Sequence, residues 1–157
     1  MRLPKMPDKK KFKKLLGDTF VGCGFLRKGK AWVREGKDST LVLDLQKSDY
    51  DDKYYINFGI WLNRFGVPEQ LAAYRCHLNI RLDALFPEDV RTIEEGGRVD
   101  AHSNDALDKL VDLIQTKFLP LSGDCLDETR LRQLLAAGRF QRGLVLAIAK
   151  DALAEHE

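Results

Sequence analysis

Period-two alternation in three stretches limits what this chain can fold into. In LVLDLQK (41–47), Leu41, Leu43 and Leu45 point one way, and Val42, Asp44 and Gln46 the other. In YYINFGIWL (54–62), Tyr54, Ile56, Phe58, Ile60 and Leu62 share one side, leaving Tyr55, Asn57, Gly59 and Trp61 on the opposite one. In CHLNIRL (76–82), Cys76, Leu78, Ile80 and Leu82 alternate with His77, Asn79 and Arg81. These are half-buried strands of one antiparallel sheet, apolar on one face and polar on the other.

The chain on either side completes the expected architecture. Asp8 is suited to cap a helix from Lys9 to about Val21, with Phe12, Leu15, Leu16 and Phe20 as its apolar stripe. Phe25 to Arg34 reads as a first strand, broken or bulged near Gly29, and Tyr74 to Leu82 as the fourth. Residues 64–73 form a surface loop, and residues 83–103 a long loop with a short helix at Pro87–Glu95. Ser103 or Asn104 caps a helix carrying Leu107, Leu110, Val111, Ile114 and Phe118, which Pro120 stops. Asp127 caps the next helix, which ends at Gly138, and the last starts near Phe140 with Leu144, Ile148 and Ala152 inward. The expected fold class is α+β: a four-stranded antiparallel meander, with an N-terminal helix and three C-terminal helices on its apolar face. One domain is expected over residues 1–157, with residues 1–7 a flexible basic tail.

Composition restricts the function classes. Of 157 residues, 44% are hydrophobic and 32% charged, the balance of a globular chain. No apolar run reaches the roughly 18 residues of a membrane span, so no membrane partner and a cytoplasmic location are expected. Cys23, Cys76 and Cys125 are odd in number and widely spaced, which disfavours a disulfide framework or a zinc site. Residues 1–34 hold eleven Lys or Arg against Asp8 and Asp18, a surplus of +9, while the remaining 15 basic and 22 acidic residues give −7. Such asymmetry fits a nucleic-acid arm or, more often, a solvated helix face and tail.

Several local patterns resemble the DUF4304 family, a bacterial family of uncharacterised domains. They are Gly24-Phe25 followed by Lys28-Gly29, then Gln46-Lys47-Ser48, Ile56-Asn57-Phe58-Gly59-Ile60, and Cys76-His77-Leu78-Asn79-Ile80-Arg81-Leu82. Together they span residues 9–83. The resemblance implies an α+β domain and brings no known reaction or catalytic residue.

A candidate site must therefore come from chemistry. Asp44, Gln46, Asn57, Trp61, His77, Asn79 and Arg81 converge on the polar face if the strands are neighbours, about 5 Å apart across strands and 7 Å along them. Amides, an imidazole, a guanidinium and an indole suit a polar or anionic ligand. One reading is that the face is simply wet. Against it, Asp and Asn are poor strand formers, so Asp44, Asn57 and Asn79 on one face require a reason. Trp32, Tyr55 and Trp61 either join this face or lie under the N-terminal helix.

Catalytic and metal readings are weaker. Cys76 and His77 are consecutive in a strand and point apart. His77, Asp44 and His102 lack the spacing of a metal motif, and His102 and His156 read as exposed loop and terminal residues. GCGFLRKG lacks the full pattern of a phosphate-binding loop, and Asp49, Asp51 and Asp52 crowd one turn as solvated loops do. No catalytic residue, metal or cofactor is expected. The leading expectation is a non-enzymatic interaction module that binds a protein partner through the polar face, a toxin-neutralising role being one concrete version. The alternatives are a small-molecule binder or enzyme using Gln46, Asn57, His77 and Arg81, and nucleic-acid binding through the basic N-terminal region. The last is disfavoured; it requires those basic residues to join the sheet face in one positive surface, with Trp32 and Trp61 as stacking platforms.

Overall fold

The computed structural model describes residues 9–99 and 104–154. Helix α1 (Lys9–Gly22) leads into strands β1 (Leu26–Lys28), β2 (Ala31–Glu35), β3 (Ser39–Lys47), β4 (Tyr54–Leu62) and β5 (Leu78–Arg81). Then come α2 (Leu82–Leu85), α3 (Val90–Gly96), α4 (Asn104–Leu113), α5 (Leu119–Asp124) and α6 (Glu128–Ala136), followed by β6 (Leu144–Val145) and α7 (Ala147–Ala154). The class is α+β, and the sheet is antiparallel with strands in the order β1 to β6.

Register follows from the apolar alternation, because a slip of one residue would turn every core side chain outward. β3 and β4 pair from Ser39↔Leu62 to Lys47↔Tyr54, so Leu41, Leu43, Ile56, Phe58 and Ile60 share the inner face. α1 lays Phe12, Leu16 and Phe20 on that face, with Phe20 edge-on to Trp32 at 5.1 Å and Phe12 stacked on Tyr54 at 5.5 Å. From the C-terminal half, Phe118 meets Phe58 edge-to-face at 4.9 Å. Each large apolar side chain buried this way contributes about 1.5–3 kcal/mol. Cys23, Cys76 and Cys125 are buried free thiols.

The sheet has six strands rather than the expected four, for two local reasons. The first expected strand folds back on itself: Gly29 adopts φ +63°, and Lys28 pairs with Ala31 across a two-residue turn. The other added strand, β6, arises where a helix from Phe140 was expected. Gly143 brings the backbone so close to β5 that a Cβ would lie 2.5 Å from Asn79 O, and Leu144 then pairs with Asn79. The last helix consequently starts at Ala147 and buries Ala149, Ala152 and Leu153, leaving Leu144 and Ile148 exposed.

Other expectations shift in detail. Pro120 does not stop the helix; the chain stays helical to Asp124 through a π turn at Ile114–Phe118. The wider turn relieves the clash between the proline ring and the carbonyl four residues before it. Leu15 is more exposed than the rest of its expected stripe. Residues 83–99, expected as mostly loop, carry α2, a 3-10 turn at Pro87–Asp89 and α3, held down by Leu85, Phe86, Ile93 and Val99 in the core. Asp127 caps α6 as expected, its carboxylate accepting from the Thr129 and Arg130 amides, and Gly138 follows at φ +82°. The tail at 1–7, the Asp8 and Ser103 caps and residues 100–103 lie outside the described residues.

The outer face is not an open polar surface. β5 begins only at Leu78; the preceding residues fold back over the sheet, with 3-10 turns at Asn63–Phe65 and Ala73–Arg75. Cys76, expected with the inner residues, sits instead in a small outer cluster with Ala31 and Val42, against Trp61. Gly59 makes room for this: a Cβ there would lie 2.7 Å from Cys76 Sγ and 2.8 Å from both Cα and O of Ala73. Replacing Gly59→Val is expected to lower unfolding stability by about 1–3 kcal/mol or more, read from chemical denaturation, because backbone on the far side must move.

Candidate functional site

Sheet register assembles the polar groups of the outer face. Asp44 lies opposite Asn57 on β3 and β4, Asn57 opposite Arg81 on β4 and β5, and Asn79 opposite Gly59. The Asn57 amide donates to Asp44 Oδ1 at 3.0 Å and to Gln46 Oε1 at 3.1 Å. Asp44 Oδ2 accepts from the Ala73 backbone amide at 2.8 Å, so one carboxylate fixes both the amide row and the turn that crosses it.

Arg81 is held from two sides. Its Nε and Nη2 donate to the two oxygens of the buried Asp83, each at 3.2 Å, and its guanidinium lies 4.0 Å from the centre of the Tyr55 ring. Asn79 differs from its neighbours: its Nδ2 is buried and has no hydrogen-bond partner. A buried donor left unpaired costs about 1–3 kcal/mol.

Gln46, Asn57, Asn79 and Arg81 line one cavity of about 240 Å³, together with Ala73, Tyr74 and Ile80. A neighbouring cavity of about 500 Å³ shares Gln46, Asn57 and Tyr74 and adds Lys30, Asp44, Leu71 and Ala72. A third, of about 450 Å³, shares Leu71 and reaches Lys28, Thr40 and Val67. Of the seven residues named from the sequence, five therefore meet: Asp44, Gln46, Asn57, Asn79 and Arg81.

Trp61 and His77 stand apart from them. The Trp61 indole donates to Gly66 O at 2.7 Å. His77, only 6% exposed, packs between Trp61 and Phe65, with ring centroids at 4.2 and 4.8 Å. Its Nδ1 accepts from the Leu62 amide at 2.9 Å, the place a strand partner would take if β5 continued. That bond requires the neutral ring with its proton on Nε2, and burial pushes the His77 pKa down. His102 and His156 lie outside the described residues.

Three groups that shape the face escape sequence reasoning. Tyr74 and Leu71 line the cavities because the segment folds back, which alternation does not reveal. Asp83 anchors Arg81 from just beyond the strand, and an Arg-x-Asp spacing is too common to signal it.

The remaining chemistry is restrained. Burial, reinforced by the Asp44 charge, pushes the Cys76 thiol up to about 12, and burial also raises Cys23 and Cys125, so these thiols stay protonated. Among the described residues no group of three or more His, Cys, Asp or Glu is arranged to hold a metal ion, and no helix is long and apolar enough to cross a membrane. The α1 lysines face away from the core on the inner side of the sheet, opposite the polar face, and Trp32 is buried against Phe20. The α1 lysines and Trp32 therefore do not join the polar face, whereas Lys28 and Lys30 of the same basic region line its cavities.

A family model described as a domain of unknown function (DUF4304) matches residues 16–124. The match runs beyond the strands that carry the resemblance and takes in α4 and α5. No curated protein matches the chain. No solved structure matches it.

The His77 geometry has a testable sign. Its folded pKa lies below the ordinary imidazole value near 6.5, so the unfolded chain takes up a proton that the native one resists. The stabilising contribution is complete above that value and falls away as the pH drops below it, levelling once native His77 also protonates. Urea midpoints measured from pH 8 to pH 5 are expected to decline, and His77→Gln is expected to flatten the decline.

Proposed function

The chain belongs to the DUF4304 family, a domain of unknown function, and from that premise we propose that it is a binding module seating an extended segment of a partner protein in the trough on the outer face of its sheet. The observation that carries this reading is continuity: three cavities share lining residues in sequence, from Arg81 on β5 to Lys28 on β1. Four inter-strand spacings of about 4.8 Å give ~19 Å, the length of about six extended residues. That shape suits a stretch of polypeptide better than a compact metabolite.

The lining supports the same reading. Gln46, Asn57 and Asn79 supply amide donors and acceptors that match a peptide backbone. Leu71 and Val67, the latter 92% exposed, offer apolar ground for side chains, and Tyr74, 68% exposed, stands at the junction of two cavities as a rigid aromatic contact. A nucleophilic reading loses support, because the Cys76 thiol is held protonated and His77 is enclosed by Trp61 and Phe65.

Selection of displayed random heptapeptides on the wild-type protein tests the proposal. Enriched peptides are expected to bind at least tenfold more weakly to Tyr74→Ala or Leu71→Asp, and unchanged to Lys109→Ala on the exposed side of α4. Peptides that bind all four proteins alike, or whose NMR footprint lies off the trough, would overturn it.

A further inference from the structure

The β5 end of the trough has chemistry of its own. There the cavity of about 240 Å³ brings Asn79, Gln46 and Arg81 together beneath Tyr74. Asn79 Nδ2 is buried and unpartnered. Gln46 has its Oε1 occupied by Asn57, which leaves its Nε2 as a donor. Arg81 uses Nε and Nη2 on Asp83, which leaves Nη1. Three side chains, each with a donor not used elsewhere, thus line one small cavity.

The nearby carboxylates do not answer them. Asp44 has one oxygen on Asn57 and the other on the Ala73 amide. Asp83 is buried, and both its oxygens accept from Arg81. Asp83 is thus offset by the Arg81 charge, while both oxygens of Asp44 are engaged by neutral amides and turned to partners other than the three donors. A carboxylate has two oxygens and about four lone-pair directions, enough for all three donors. Arg81 is also already oriented by Asp83 and the Tyr55 ring, so little freedom is lost on binding.

We propose that this cavity is a carboxylate seat that receives the free C-terminal carboxylate of the bound segment, with Asn79 Nδ2, Gln46 Nε2 and Arg81 Nη1 as donors. The assignment rests on the trough being the binding surface. A chain end rather than an acidic side chain is favoured by position: the cavities run from Lys28 and stop at Arg81, beyond which the sheet has only the two residues of β6. The trough offers a bound segment no further seating past Arg81, which is why the seat is assigned to a chain end.

The test uses the whole chain and three small probes: N-acetylglycine, its neutral amide, and N-acetylaspartic acid α-amide methylated on the amide. Side-chain amide resonances of Gln46, Asn57 and Asn79 are followed by ¹H–¹⁵N NMR. N-acetylglycine is expected to shift Asn79 and Gln46 saturably, and the neutral amide to bind at least tenfold more weakly. The aspartyl probe is expected to fall below N-acetylglycine. Asn79→Leu removes the unpaired amide, so it is expected to abolish the Gln46 shift while melting no lower than the wild type; that melt separates lost recognition from lost fold. No saturable shift, equal binding by the neutral amide, or a wild-type response in Asn79→Leu overturns the seat. Equal binding by the aspartyl probe overturns the chain-end assignment. In each of these cases, peptides that still map to the trough in the displayed-peptide selection leave the wider reading standing, so the two failures are distinguishable.

Discussion

A missing side chain organises the outer half of this molecule. Gly59 sits mid-strand on β4, where a larger residue would ordinarily add packing and β propensity. Its absence of a Cβ lets the Ala73–Arg75 turn and Cys76 lie directly on the sheet. Asp44 then ties that turn down by accepting the Ala73 amide, and the same carboxylate accepts from Asn57. One close backbone approach therefore determines where the trough runs, which polar groups line it, and which are roofed over.

The inner half of the fold was largely legible in the sequence. Leu41, Leu43, Ile56, Phe58 and Ile60 announced their face by strict alternation, and the Phe12–Leu16–Phe20 spacing announced the helix that covers it. Asp127 and Gly138 marked helix ends through chemistry that acts over a few residues. What failed needed information from further away. Gly143 reads as neutral punctuation until Asn79 O and Ile80 are known to lie against it, and the continuation through Pro120 depends on a turn geometry that side-chain period does not encode.

The candidate site divides along the same line. Asp44, Gln46, Asn57, Asn79 and Arg81 come together because strand register alone places them. His77 follows the same alternation on paper, yet β5 starts one residue later, and the imidazole takes the role of a backbone acceptor for Leu62. Alternation identifies a face, but only as far as the strand lasts. Tyr74 shows the converse: a residue expected to begin a strand instead stands over the cavities, because the chain folds back before pairing.

The placement of β6 bears on how the molecule assembles. Strands β1 to β4 are joined by short turns and can zip together as neighbouring hairpins, with β5 close behind. β6 reaches β5 only after the chain has travelled from Arg81 to Leu144, through α2 to α6. Contacts this distant in sequence carry a larger closure entropy and form late. Until they do, the Leu78–Asn79 backbone is an open sheet edge, able to pair with another chain. The vulnerable interval during folding therefore ends with a two-residue strand, Leu144–Val145, supplied from far along the chain.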